Sequence, residues 1–250
     1  MTAARSAELL ADRPPARGRT GAGGDFGQGP LSQLAGAVYR HAVLGVCLAV
    51  ACVPTLLVGA ALGRGPGAAP WLVLAQLPVA PALAAGLYAV RAWRQDLDTG
   101  PLAAFARGLR ADVADVLRWW LPTLLALAVL VTNVAVGAAA VGAPALRGMS
   151  TVVAVVVLLW SGHTLVISAV MRFRTRDLAV IALLTLVRHW HVTLTMVSLL
   201  VVALGVVYVG SEVALALLAW AFVSVLEHVS RPLRADVEAR FTAPASPVPA

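Results

Sequence analysis

Residues 78–120 read PVAPALAAGLYAVRAWRQDLDTGPLAAFARGLRADVADVLRWW, and the rest of the chain is organised around that stretch. It holds a proline-broken apolar segment, an arginine cluster, a polar amphipathic helix and a tryptophan pair that opens the next apolar segment. Pro78 and Pro81 each remove a backbone donor, so the first segment is expected to kink or unwind there. Thr99-Gly100-Pro101 is a helix start, because proline is tolerated in the first turn. Leu102, Phe105, Leu109, Val113, Val116 and Trp120 then recur at three- and four-residue spacing. Arg107, Arg110, Asp112, Asp115 and Arg118 fall mainly on the other side, which predicts an amphipathic helix. The expectation is a helix lying in the inner interface, with Trp119 and Trp120 at headgroup depth.

Composition sets the solvent. Sixty per cent of residues are hydrophobic and twelve per cent charged, and the mean hydropathy is +0.86. Those values lie outside the range of soluble domains and predict an all-α polytopic membrane bundle. Residues 41–63, 65–90, 119–146, 148–171 and 189–211 are each long enough to cross a hydrocarbon core of about 30 Å. A sixth segment has only 14 uncharged residues between Glu212 and Glu227; it suffices if Glu227 and His228 sit at the interface. The architecture expected is six transmembrane helices with two cytoplasmic interfacial helices, and five spans rank second. Residues 1–33 read as a disordered Gly/Pro/Arg tail, 34–235 as the transmembrane domain and 236–250 as a flexible tail. No apolar core precedes Leu44, so no secretory signal is expected. Arg5, Arg13, Arg17 and Arg19 are placed to touch anionic lipid.

All 19 basic residues are arginine. With the N-terminus inside and six spans, five fall in the tail, five in the second loop, four in the fourth loop and three in the C-terminus. Only Arg64 and Arg147 remain outside. The positive-inside rule therefore predicts a bacterial plasma-membrane protein with both termini cytoplasmic. The net charge of +7 is spread over segment ends, so the bilayer and not nucleic acid is the expected partner.

The fourth loop repeats the plan of the second. Arg172, Arg174, Arg176 and Asp177 precede residues 178–187, and Arg188-His189-Trp190 leads into the next span. Arg91, Arg94, Asp96 and Asp98 stand in the same order before the first amphipathic helix, and Arg118-Trp119-Trp120 after it. An internal parallel repeat about an axis along the membrane normal and two independent inward-ending turns both fit this pattern.

PALAAGLYAVRAWRQD with GPLAAFARGLR, and later MRFRTRDLAVIALLTLVRHW, resemble the YesL family of bacterial integral membrane proteins. The resemblance covers about residues 36–230, and Pro81, Ala82, Ala85, Leu87 and Tyr88 carry its most specific part. The chain departs from the family at Leu77-Pro78-Val79-Ala80, where threonine and glycine usually precede the proline. The resemblance implies a membrane protein of unassigned chemistry with a link to carbohydrate uptake. It implies no catalytic residues.

Several positions are candidates for function. Carbonyls freed by Pro78 and Pro81 would line a solute path, or the break is a packing kink beside Ala82, Ala84, Ala85 and Gly86. Asn133 falls near the middle of the third span. His163 falls near the middle of the fourth, with Ser161, Thr164 and Ser168. Ionisable groups at that depth are functional candidates by default. Against that stands structural hydrogen bonding to a neighbouring helix, or between the two. Arg94, Asp96, Arg107, Arg110, Arg174 and Asp177 form a cytoplasmic partner face, or serve as interfacial anchors. His189 and His191 read as interfacial, Glu227 as the partner of a loop arginine, and Gly59 with Gly63 as a packing pair. Cys47 and Cys52 are too far apart on one helix for a disulfide and read as small buried residues.

No Walker A, Gly-x-Ser-x-Gly, HExxH or paired-cysteine motif is present in the sequence, and all twelve acidic residues read as tail, loop or span-end groups. No catalytic residue, metal or cofactor is expected. The leading expectation is a non-enzymatic accessory or regulatory component of carbohydrate or other solute uptake, with a transporter subunit or a second copy as partner. A small transporter or channel in its own right is the alternative.

Overall fold

The computed structural model describes residues 30–63, 65–95, 99–137, 144–169, 175–209 and 212–241. Asp96, Asp98, Arg172 and Arg174, the N-terminal tail to residue 29 and the chain beyond 241 lie outside the described residues. Every described element is helical: α1 (Pro30–Leu62), a 3-10 turn (Pro66–Ala68), α2 (Ala69–Leu74), α3 (Val79–Gln95), α4 (Pro101–Gly137), α5 (Pro144–Ser168), α6 (Thr175–Arg188), α7 (Trp190–Val209), α8 (Glu212–Val229) and α9 (Arg231–Phe241). Helix α9 runs past residue 236, where the flexible tail was expected to begin. Five stretches are long and apolar enough to cross a membrane: α1, α2 with α3, α4, α5 and α7. The chain is therefore a multi-pass membrane protein by length and composition; α8 is apolar but shorter. Contacts divide the chain into Met1–Tyr39 and Arg40–Ala250, and the packing described below is that of the second unit.

Helix α3 is the centre of that packing. Ten of its 17 residues are buried, and seven of the ten are Ala, Gly or Pro. Small side chains let neighbouring backbones approach where lipid supplies no hydrophobic drive, and α3 packs against α4, α5 and α8. At Gly108 of α4 a Cβ would stand 2.9 Å from the Tyr88 Cβ, so the α3–α4 seam closes only because residue 108 has no side chain. At Gly86 the space is shared by Val223 of α8 and Leu44 of α1.

Helix α4 departs from expectation. The amphipathic stretch and the third span are one unbroken helix of 37 residues, about 55 Å long at ~1.5 Å per residue. Trp119 and Trp120 lie buried inside it, 3% and 8% exposed, instead of standing at a headgroup surface. They fill the space beside the α2–α3 break, which outweighs their interfacial preference. Leu121, Leu125, Val129 and Val136 are exposed apolar residues in the second half of α4, while Arg107, Arg110 and Arg118 are exposed in the first half together with Leu102.

The second module is built differently. Helix α6 is separate, and its exposed side carries Val180, Leu183, Leu184 and Val187 while Leu178, Ile181, Ala182 and Thr185 are buried. An outward apolar stripe at this spacing suits an apolar medium on that side. The helix stops at His189 and α7 begins at Trp190, so the two modules share a sequence pattern but not a helix geometry. Gly63 also changes role: its φ of +66 and its N–H to Gly59 O bond of 3.0 Å terminate α1. Nothing among the described residues lies within 4 Å of a Cβ built there. It is a left-handed helix stop and not half of a packing pair.

Gly108→Ala is expected to cost about 1–3 kcal/mol by overpacking the α3–α4 seam, read as a lower thermal midpoint in detergent. Gly148→Ala, on open helix surface, is the control and should be neutral or stabilising.

Candidate functional site

The break between α2 and α3 follows from the prolines. Pro78 has no N–H to continue the ladder, and the turn tightens: Gln76, Leu77 and Val79 donate to Val73, Leu74 and Gln76 at 3.0–3.1 Å. That tightening leaves Ala75 O without its helical donor. Thr55 of α1 supplies one, its hydroxyl lying 3.3 Å from Ala75 O. The Trp120 indole N–H donates to Gln76 O at 3.2 Å. The carbonyls at the break are thus held by α1 and α4. Pro81 is buried and Pro78 half-buried.

His163 of α5 is fully buried. The Thr193 hydroxyl donates to Leu186 O at 2.7 Å, so its oxygen accepts from His163 Nε2–H at 3.0 Å. Leu186 O is a carbonyl orphaned where α6 ends, and His163 with Thr193 is what caps it. Among the described residues His163 Nδ1 has no hydrogen-bond partner. Asn133 is half-buried on α4 and is not the partner of His163. Sequence reasoning missed Thr193 and Thr55; Thr193 stands one turn past the Arg188-His189-Trp190 signal, while nothing local marks Thr55.

A charged cluster gathers the ends of five helices. Arg91 of α3 donates its Nη2–H to Ala169 O at the end of α5, and its Nε–H to Leu87 O at 3.3 Å. A cation there complements the carbonyls of a helix C-terminus. Glu227 at the end of α8 is 3% exposed and holds Arg234 of α9 through Oε1 at 2.6 Å. Arg91 lies within electrostatic reach of Glu227, Arg234 and Asp112. His189, in the α6–α7 turn, donates Nε2–H to Asp236 Oδ2 at 3.2 Å, and Arg188 Nε approaches the same oxygen at 3.4 Å. So α8 runs back to the end of the bundle where α3 and α5 finish. Glu227 stands at the end of α8 and forms an ion pair, but the partner is Arg234 of the helix α9 and not a loop arginine, and the carboxylate is buried.

Between α3, α5, α7 and α8 lies a cavity of about 290 Å³. Leu83 and Leu87, Leu158 and Leu165, Leu200 and Phe222 typify its wall, and Trp119 and Trp120 close one side. Ser161 is in the wall, but its hydroxyl donates to Leu158 O at 2.7 Å. Neither Asn133 nor His163 lines it.

The remaining candidates scatter. Arg94, Arg107, Arg110 and Asp177 are exposed. Asp96 and Arg174 lie outside the described residues. Cys47 and Cys52 are free and half-buried. Among the described residues no group of three or more His, Cys, Asp or Glu is placed to hold a metal.

Magnitudes separate the buried Glu227–Arg234 pair from the exposed Arg118–Asp115 pair of α4. Arg234→Ala strands a buried carboxylate and should cost about 3–5 kcal/mol. Arg118→Ala breaks the Arg118–Asp115 pair, whose arginine side chain is 70% exposed, and should cost less than about 1 kcal/mol. Thermal unfolding of both variants in one detergent checks the order.

With this geometry established, no family model, curated protein or solved structure matches the chain.

Proposed function

We propose that the protein is a six-pass bacterial plasma-membrane component with both termini cytoplasmic, acting without catalysis as an accessory or regulatory subunit of solute uptake. Carbohydrate is the solute class implied by the resemblance to the YesL family. The observation that carries the accessory role is the charged outer face of the first half of α4. It presents Arg107 and Arg110, with Arg94 exposed at the end of α3. A rigid cationic helix, anchored through Gly108 against α3, is a surface on which an acidic partner docks without prior ordering. The outward apolar stripe of α6 supports an interfacial placement for the second module.

Six crossings are supported by the return of α8. Its 18 residues span about 27 Å at ~1.5 Å each, and it ends beside Arg91 and the terminus of α5. The transporter alternative drew on free carbonyls in the second span and on a polar pair inside the membrane. Thr55 and Trp120 hold those carbonyls, and Thr193 holds His163, so those features support packing.

Two measurements test the reading. In a background with Cys47 and Cys52 replaced by alanine, Arg94→Cys and Arg231→Cys should react with an impermeant thiol reagent from the cytoplasmic side, and Arg147→Cys from the other. Labelling of Arg231→Cys from the outer side would remove the sixth crossing. Pull-down from native membranes should recover a transporter subunit, and Arg107→Glu with Arg110→Glu should reduce that recovery at least tenfold. A reproducible absence of any such subunit from the wild-type pull-down would sink the accessory role.

A further inference from the structure

We infer that the cavity between α3, α5, α7 and α8 is a binding site for the hydrocarbon chain of a membrane lipid. The wall is almost wholly apolar. The Ser161 hydroxyl is turned back to Leu158 O and the Trp120 N–H is spent on Gln76 O, while the buried Trp119 N–H has no hydrogen-bond partner among the described residues. A sugar carries many hydroxyls, and a single indole N–H cannot replace the water they would give up. A hydrocarbon chain gives up nothing.

The fit is one of size and place. The volume of about 290 Å³ is about twice that of an apolar cavity known to take up benzene, which corresponds to a chain segment of about a dozen carbons. The walls come from α5 and α7, two of the helices apolar enough to span the bilayer, so the medium around them is itself hydrocarbon. The two helices meet where Gly162 faces Met196, a Cβ on residue 162 standing 3.0 Å from the Met196 sulfur. Beyond that contact Leu158 and Leu159 of α5 face Leu199, Leu200 and Ala203 of α7 across the cavity. Leu158 is 37% exposed, so the wall continues onto the outer surface. Met196, unbranched and adaptable, is part of the wall, where a flexible side chain accommodates chains of different shape.

The burial of Ala80 and Leu87 makes the proposal testable apart from ordinary lipid contact. Both line the cavity and are 3% and 2% exposed, deeper than the half-buried Val79 and Leu83 beside them. Purified protein in vesicles is irradiated with a phospholipid bearing a diazirine on its acyl chain, and in parallel with an isoprenyl phosphate bearing the same group. Labelled peptides are then mapped. The expected result is labelling within residues 79–87 by at least one probe, reduced at least fivefold in Ala203→Trp, which fills the cavity, and unchanged in the surface control Val207→Phe. The probe that labels tells whether the chain comes from a glycerolipid or an isoprenoid. If Ala203→Trp fails to fold, competition by excess unlabelled lipid on the wild-type protein replaces it, and labelling of α3 should fall by the same factor. Labelling confined to exposed positions such as Leu194, Val201 and Leu204, with none on residues 79–87, overturns the proposal. So does labelling of α3 that neither the filled cavity nor competing lipid reduces.

Discussion

A backbone carbonyl without a donor costs several kcal/mol at membrane depth, where no water can replace the lost bond. The bundle is arranged around the places where its helices would incur that cost. At the α2–α3 break the tightened turn leaves Ala75 O without its helical donor, and Thr55 reaches it from α1, while Trp120 of α4 adds a second bond to Gln76 O. At the α6–α7 break Leu186 O is capped by Thr193, itself held by His163 of α5. At the end of α5, Ala169 O accepts a hydrogen bond from Arg91. Each interruption of one helix is thus closed by a side chain from elsewhere in the fold. The same bonds that satisfy the breaks therefore also fix which helices are neighbours.

Close approach makes those reaches short enough to work. Helix α3 gives up bulky side chains over most of its length, so α4, α5 and α8 can stand against its backbone. Gly108 against Tyr88 sets the α3–α4 distance, and through it the height at which Trp120 meets Gln76. What the small residues cannot fill is left as the apolar cavity on the other side of α3. There Trp119, Leu83, Leu165 and Phe222 converge without closing the space. A joint, a seam and a hollow thus share one helix.

Charge follows a separate logic. Arg107 and Arg110 are solvated and cost little, whereas Glu227 and Arg234 are buried together and each depends on the other. Buried pairs of this kind stabilise weakly in net terms yet are expensive to break. The Glu227–Arg234 pair therefore works as a lock that holds α9 against the end of α8. His189 and Asp236 extend that lock to the turn before α7, so one charged end of the bundle ties together elements far apart in sequence.

Much of this was legible in residues 78–120 alone. The prolines announced a break, the three- and four-residue spacing announced a helix after Pro101, and composition announced a bilayer. Helix type and apolar length depend on local chemistry and on the solvent, and both are written in the order of side chains. What the sequence could not say is how the break is resolved, because Thr55 lies 20 residues from the carbonyl it serves and Trp120 lies 44 from its own. Nor could it say that Trp119 and Trp120 turn inward, that α4 runs on through Pro122 without a stop, or that His163 finds Thr193 and not Asn133. Periodicity records which face of a helix is apolar, but lipid and protein interior are equally apolar. Inside a membrane, then, sequence alone determined the elements, while only tertiary structure decided which apolar faces meet, which carbonyl each donor reaches, and where a space was left between them.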